Sequence, residues 1–238
     1  MKKVLLILQV SLALWVCGAG TSSAAVAVTF DPNSGTGLAN NNTIGWRFGL
    51  TTDISVTSLG VLNGVLTTGN GQAGVSHEVG IYSEATQQLL AYAVVTNGAA
   101  GSTEQWRWTE LSTPVVLTAG SIYRIATYAN GDKWFFNTTN YATSAEVLVG
   151  TALDPGAPPS ANPGSRTAAY APGTNVLQYP SDVSIWTVND IHDGLFGANF
   201  QYTAVPEPSS VALATLAGVG LLVFAGRKVR VVRIGGVR

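Results

Sequence analysis

Between residues 26 and 204 apolar side chains recur at every second position, and nowhere at the 3.6-residue spacing that gives a helix an apolar stripe. A chain with that pattern buries its apolar residues by placing them on one face of pleated strands. Ile44, Trp46 and Phe48 alternate in this way within Thr43–Leu50. Comparable runs fall at 26–30, 54–62, 75–82, 89–96, 105–111, 114–117, 122–128, 133–137, 183–188 and 195–202. Turn chemistry separates them: Asp31-Pro-Asn-Ser-Gly, Asn40–Asn42, Gly69-Asn-Gly71 and Ala119-Gly120. Asn130-Gly131-Asp132 predicts a hairpin that joins 122–128 to 133–137. From Asp154 to Pro180, prolines mixed with Gly, Ala and Ser predict a long irregular excursion. The expected fold is all-β, an antiparallel β-sandwich of jelly-roll type spanning 26–204.

The two ends read differently. Lys2 and Lys3 precede an apolar run from Val4 to Val16, and Thr21-Ser22-Ser23-Ala24-Ala25 supplies small residues. That is the layout of a secretory signal peptide at 1–25, with cleavage expected after Ala24 or Ala25. Cys17, followed by Gly18, invites comparison with a lipid-attachment site, but Trp15 and Val16 are bulky where such signals need small residues, so Cys17 is expected to leave with the peptide. At the other end, Pro206-Glu207-Pro208 is followed by an uncharged run from Ser209 to Gly226 and then by Arg227, Lys228, Arg230 and Arg233. A helix over 209–226 would reach about 27 Å, enough to cross a thin hydrocarbon layer. The cationic residues beyond it orient such a span, leaving everything before Val205 facing outward.

This tail at 205–238 resembles the PEP-CTERM sorting signal of Gram-negative bacteria, through Pro206, Glu207 and Pro208, the span, and the cluster of Arg227, Lys228 and Arg230. The resemblance implies an exosortase that cuts near the motif and passes the protein to the cell surface or into an exopolysaccharide matrix. The reading from the residues alone leaves a permanent membrane anchor as the alternative. A second resemblance lies in the middle of the chain. Gly45-Trp-Arg-Phe48, Ile54-x-Val-Thr-x-Leu-Gly60, Ser76-His-Glu-Val-Gly-Ile-Tyr82, Leu89-Leu-Ala91, Trp106-Arg-Trp108 and Pro114-x-x-Leu-x-Ala-Gly-x-x-Tyr-Arg-Ile125 are similar to a domain of unknown function in secreted bacterial proteins. That resemblance covers about 43–200 and implies a β-sandwich, with no activity attached.

Charge narrows the partners. Of the 12 Lys and Arg, two lie in the signal peptide and five in the tail, which leaves five against 12 acidic residues in 26–204, a net charge near −7. Nucleic acid is excluded as a partner, because phosphate binding rests on clustered Lys and Arg. With Cys17 gone the mature domain has no cysteine, so packing, and on one reading a bound ion, must hold it.

Few groups are suited to catalysis. His77 and His192 are the only histidines, and His77 sits in an alternating strand beside Glu78 as a structural residue would. No Gly-x-Ser-x-Gly elbow raises a serine into a nucleophile. Glu104 and Glu110 flank the tryptophan pair as the carboxylates of a glycosidase would, although surface solvation explains them more cheaply. The expectation is a non-enzymatic module, with a carbohydrate-active enzyme as the alternative. Trp106 and Trp108 share one strand face and Trp134 lies in a later run; such rings either fill the sandwich core or stack on the sugars of an exopolysaccharide. Asp31, Asp190 and Asp193 lie in two turns that a jelly roll would bring together, either as ordinary turns or around a structural Ca²⁺.

Overall fold

The computed structural model describes residues 23–30, 36–39, 41–63, 73–99, 104–131, 133–137, 141–150, 153, 168–171, 173, 175–181, 194–195 and 197–205. The chain divides into two compact units, Met1–Ala204 and Val205–Arg238, and every element below belongs to the first. Residues 1–22 of the expected signal peptide, the expected strand at 183–188 and residues 206–238 of the tail lie outside the described residues. Among the described residues no helix is long and apolar enough to cross a membrane.

The strands in chain order are β1 (Ala25–Val26), β2 (Val28–Phe30), β3 (Thr36–Ala39), β4 (Thr43–Leu50), β5 (Ile54–Leu62), β6 (Ser76–Ser83), β7 (Leu89–Thr96) and β8 (Trp106–Leu117). They continue with β9 (Ile122–Tyr128), β10 (Lys133–Asn137), β11 (Tyr141–Thr143), β12 (Val147–Leu148), β13 (Ala168–Ala171), β14 (Gly194–Leu195) and β15 (Ala198–Ala204). Every ladder between them is antiparallel. One sheet has the order β1-β15-β5-β8; a larger one runs β12-β4-β9-β6-β7, with β13 also on β4. Two small sheets, β14-β10-β3 and β11-β2, complete the set.

The two larger sheets bury one shared core. From β4 come Trp46 and Phe48, both fully buried, and from β15 comes Phe200. Phe200 lies 4.9 Å from Phe48 and stacks on Trp46 at 6.0 Å between ring centroids. The Trp46 indole N–H donates to the Ala198 carbonyl of the opposite sheet at 2.8 Å, so the largest ring in the core is satisfied across the sandwich. Full burial of each such ring contributes about 1.5–3 kcal/mol, and the inward alternation of β4, β6, β7 and β9 supplies the remaining apolar surface.

β5 keeps its apolar residues inside by a bulge. Ile54, Val56, Leu59 and Val61 all reach the core, which strict alternation forbids. In the ladder with β15, the adjacent residues Gln201 and Tyr202 are paired with Ser58 and Val56, so Thr57 is the extra residue that returns the strand to phase. β8 is an edge strand, and this is why Pro114 is tolerated within it without breaking a ladder on both sides.

The structure corrects several expectations. β9 and β10 do not pair, although Asn130 and Gly131 have the positive φ values, 49° and 74°, of a tight turn. A strand has two hydrogen-bonding edges, and those of β9 are taken by β4 and β6, so β10 pairs instead with β3 and β14. The first run is split into β1 and β2, and 105–111 and 114–117 are one strand, β8. The proline-rich excursion is not wholly irregular, since β13 pairs with β4 from Ala168↔Trp46 to Ala171↔Thr43.

Candidate functional site

The tryptophan pair occupies the outer side of the four-stranded sheet. Cross-strand partners share a face, and Phe200 and Leu59, which face the core, are paired. Gly60 is the next residue along β5 and is paired with Trp108, while Leu62 is paired with Trp106, so both indoles project away from Phe200. Their ring centroids are 5.8 Å apart with planes inclined by 32°. Both are half-buried. Trp106 packs against the margin of the core. Trp108 lies over Gly60: a Cβ there would stand 2.3 and 2.4 Å from two atoms of its six-membered ring, so the absent side chain makes the seat for the indole. The pair is therefore neither sandwich core nor fully solvated.

Trp134 is not beside them. It belongs to β10 of a small sheet, where it is paired with Leu38, no ladder joins β10 to β8, and its side chain lies outside the described residues. Glu104 is exposed and forms an ion pair with Arg107, whereas Glu110 is exposed on the tryptophan face. The two carboxylates therefore stand in different surroundings. His77 is buried, with Nδ1 3.3 Å from the Tyr128 carbonyl oxygen.

Asp31, Asp190 and Asp193 lie outside the described residues, as do Pro206, Glu207, Pro208, Arg227, Lys228 and Arg230. Among the described residues no group of metal-ligating side chains could hold an ion. The strands next to the acidic turns do converge. β2 ends with Phe30 paired to Tyr141, and β14 begins with Gly194 paired to Asn137, so the two bracket the short connection between β10 and β11.

A polar cluster on the outer side of the larger sheet escaped the sequence analysis. Arg47 and Arg124 are cross-strand partners. Arg47 donates to Glu84 Oε2 from Nε at 2.7 Å and to Oε1 from Nη2 at 2.6 Å, and Arg124 Nε donates to Oε2 at 2.9 Å. Burial alone would raise the Glu84 pKa, but the bonds and charges of the two guanidiniums outweigh it and hold the carboxyl below its ordinary value. Arg124 also donates to the Pro180 carbonyl and lies 4.9 Å from the centre of the Tyr179 ring. Leu177 N–H donates to Glu78 Oε2, so residues 175–181 form a strap across this side of the sheet. An open groove of about 640 Å³ beside the cluster is lined by Ser83, Glu84, Thr86, Gln88, Ser121 and Tyr123. The available signal was that both arginines sit between core aromatics, in Trp46-Arg47-Phe48 and Tyr123-Arg124-Ile125.

Residues 29–189 match the family model described as Domain of unknown function (DUF4082). The chain belongs to the DUF4082 family. The matched region contains every strand of the larger sheet but stops short of β15, which lies between β1 and β5 in the other sheet. Residues 204–230 match the PEP-CTERM protein-sorting motif and begin at the last residue of β15. The motif identifies an exported, exosortase-sorted protein that is held transiently at the membrane. Among curated proteins nothing matches the chain.

Proposed function

We propose that this DUF4082 protein is a non-enzymatic component of the cell surface or extracellular matrix, freed by cleavage near Pro206, whose sandwich holds exopolysaccharide against Trp106 and Trp108. The observation that carries the binding role is the seat of Trp108. A large apolar ring is held on the outer side of a sheet, over a glycine, and left half-exposed beside a second indole. Such rings stack on the apolar faces of sugars and recover on binding the burial they lack in the free protein. A jelly-roll reading is supported by the order β1-β15-β5-β8 opposite β4-β9-β6-β7, in which the first layer places the last strand, β15, between β1 and β5. The signal peptide, the span over 209–226 and the acidic, cysteine-free domain fit an exported protein.

Two measurements test the proposal. The intact mass of secreted protein should end between residues 205 and 208; retention of the basic tail on most molecules would favour a permanent anchor instead. In a pull-down on exopolysaccharide, Trp108→Ala should lose retention while its far-ultraviolet circular dichroism stays that of the parent. Turnover of a glycan by purified protein would overturn the non-enzymatic reading.

A further inference from the structure

The rows of side chains beside the tryptophans carry the polar half of a sugar site. On the outer side of the four-stranded sheet Trp106, Trp108 and Glu110 succeed one another along β8, each about 7 Å from the last, because same-face residues are two apart on a strand. Glu110 is paired with Ser58 on β5, and Ser58 with Gln201 on β15, so these three form one cross-strand row next to the row of Trp108, Gly60 and Asn199. Ser58 is buried between its neighbours, Gln201 is half-buried and Glu110 is exposed. Two strand spacings, about 10 Å, therefore separate the Glu110 and Gln201 backbones, with a small residue between them. Both ladders change register here, between Val56 and Ser58 on β5 and between Gln201 and Tyr202 on β15. A bulge at this row re-aims the side chains that border it.

We infer that Glu110 and Gln201 are the hydroxyl-reading residues of the tryptophan platform, and that its ligand is a neutral polysaccharide with free hydroxyl pairs rather than an anionic one. The inference rests on the proposed binding role and specifies its ligand. A carboxylate offers only acceptors and so takes two hydroxyl donors, while the Gln201 amide both donates and accepts. Among the described residues Glu110 makes no ion pair, and the basic residue nearest in sequence, Arg107, is paired with Val61 on the other face of the sheet and is held by Glu104. The platform thus presents an uncompensated negative charge on a domain whose net charge is itself near −7. Uronate, sulfate and pyruvate groups would meet repulsion there, whereas neutral hexose hydroxyls would not.

The test is affinity electrophoresis of the secreted protein through gels containing galactomannan, xyloglucan or alginate, with circular dichroism of each variant as a folding control. Wild type should be retarded by at least one neutral polymer and not by alginate. Glu110→Gln should weaken that retardation about tenfold or more, the loss of one charge-assisted hydrogen bond, and Glu110→Lys should abolish it and introduce retardation by alginate. Two results overturn the inference while leaving the platform standing: Glu110→Gln and Glu110→Ala binding the neutral polymer like wild type while Trp108→Ala does not bind, or wild type binding alginate as tightly as the neutral polymer. Absence of retardation by any of the three polymers, or unchanged retardation in Trp108→Ala, overturns both the inference and the binding role.

Discussion

Trp46→Phe isolates what the inter-sheet indole contributes. The side chain is fully buried, stacks on Phe200 at 6.0 Å, lies 5.2 Å from Phe48 and donates its N–H to Ala198 at 2.8 Å. Phenylalanine keeps an aromatic ring but has no donor, so the Ala198 carbonyl loses its partner from the opposite sheet, at a cost of about 1–3 kcal/mol. The smaller ring also leaves roughly 40 Å³ unfilled, and at about 24 cal/mol per Å³ that adds about 1 kcal/mol. The expected destabilisation is about 2–4 kcal/mol, read as a lower urea midpoint at unchanged slope, or as a fall in Tm of roughly 5–15 °C for a domain of this size. A loss below about 1 kcal/mol would refute the reasoning, because it would mean that the two sheets are not held together through this ring. A changed slope would instead locate the effect in the unfolded chain.

The Arg47, Glu84 and Arg124 cluster sets an acid limb of stability. The Glu84 pKa is lowered in the folded state, so its contribution is complete above the ordinary value of 4.5 and is lost as pH falls below it; Glu84→Gln should cost about 2 kcal/mol at neutral pH and flatten the acid limb of urea midpoints, and equal slopes in both proteins would refute the assignment. Gly60→Ala puts a methyl group into the seat of Trp108, so it should displace the indole and weaken polysaccharide retention; tryptophan fluorescence that remains unshifted would show that the ring was never seated there. If Asp31, Asp190 and Asp193 hold Ca²⁺ where β2 and β14 bracket the β10 to β11 connection, chelator should lower the melting midpoint and added calcium restore it, whereas equal midpoints mean that no ion is bound.

Much of the architecture was legible along the chain. β4, β5, β7, β9 and β10 span the runs that the alternation marks, because burial on one face of a strand imposes period two on consecutive residues. Even the bulge left a trace, in the spacing of Ile54, Val56, Leu59 and Val61. The Asn130-Gly131 turn also has the backbone its residues favour. What it joins was misread, since a turn signal reports local geometry and says nothing about whether the edges of the strand before it are already occupied.

For the candidate site the division falls in the same place. That Trp106, Trp108 and Glu110 share a face follows from their spacing, and the sorting tail follows from its own residues. Whether that face looks inward or outward depends on which residue of β5 each one meets, and so on a ladder between segments distant in sequence. The triad of Arg47, Glu84 and Arg124 was hidden for the same reason: Glu84 accepts from arginines 37 and 40 positions away. The sequence by itself determined the positions of the longer strands, their alternation, the charge and the sorting motif, because each is carried by neighbouring residues. Strand partners, the outward tryptophan face and the ion cluster were decided only by the tertiary structure, because each needs chemically compatible groups from remote segments to meet, and nothing in local spacing selects among the possible partners.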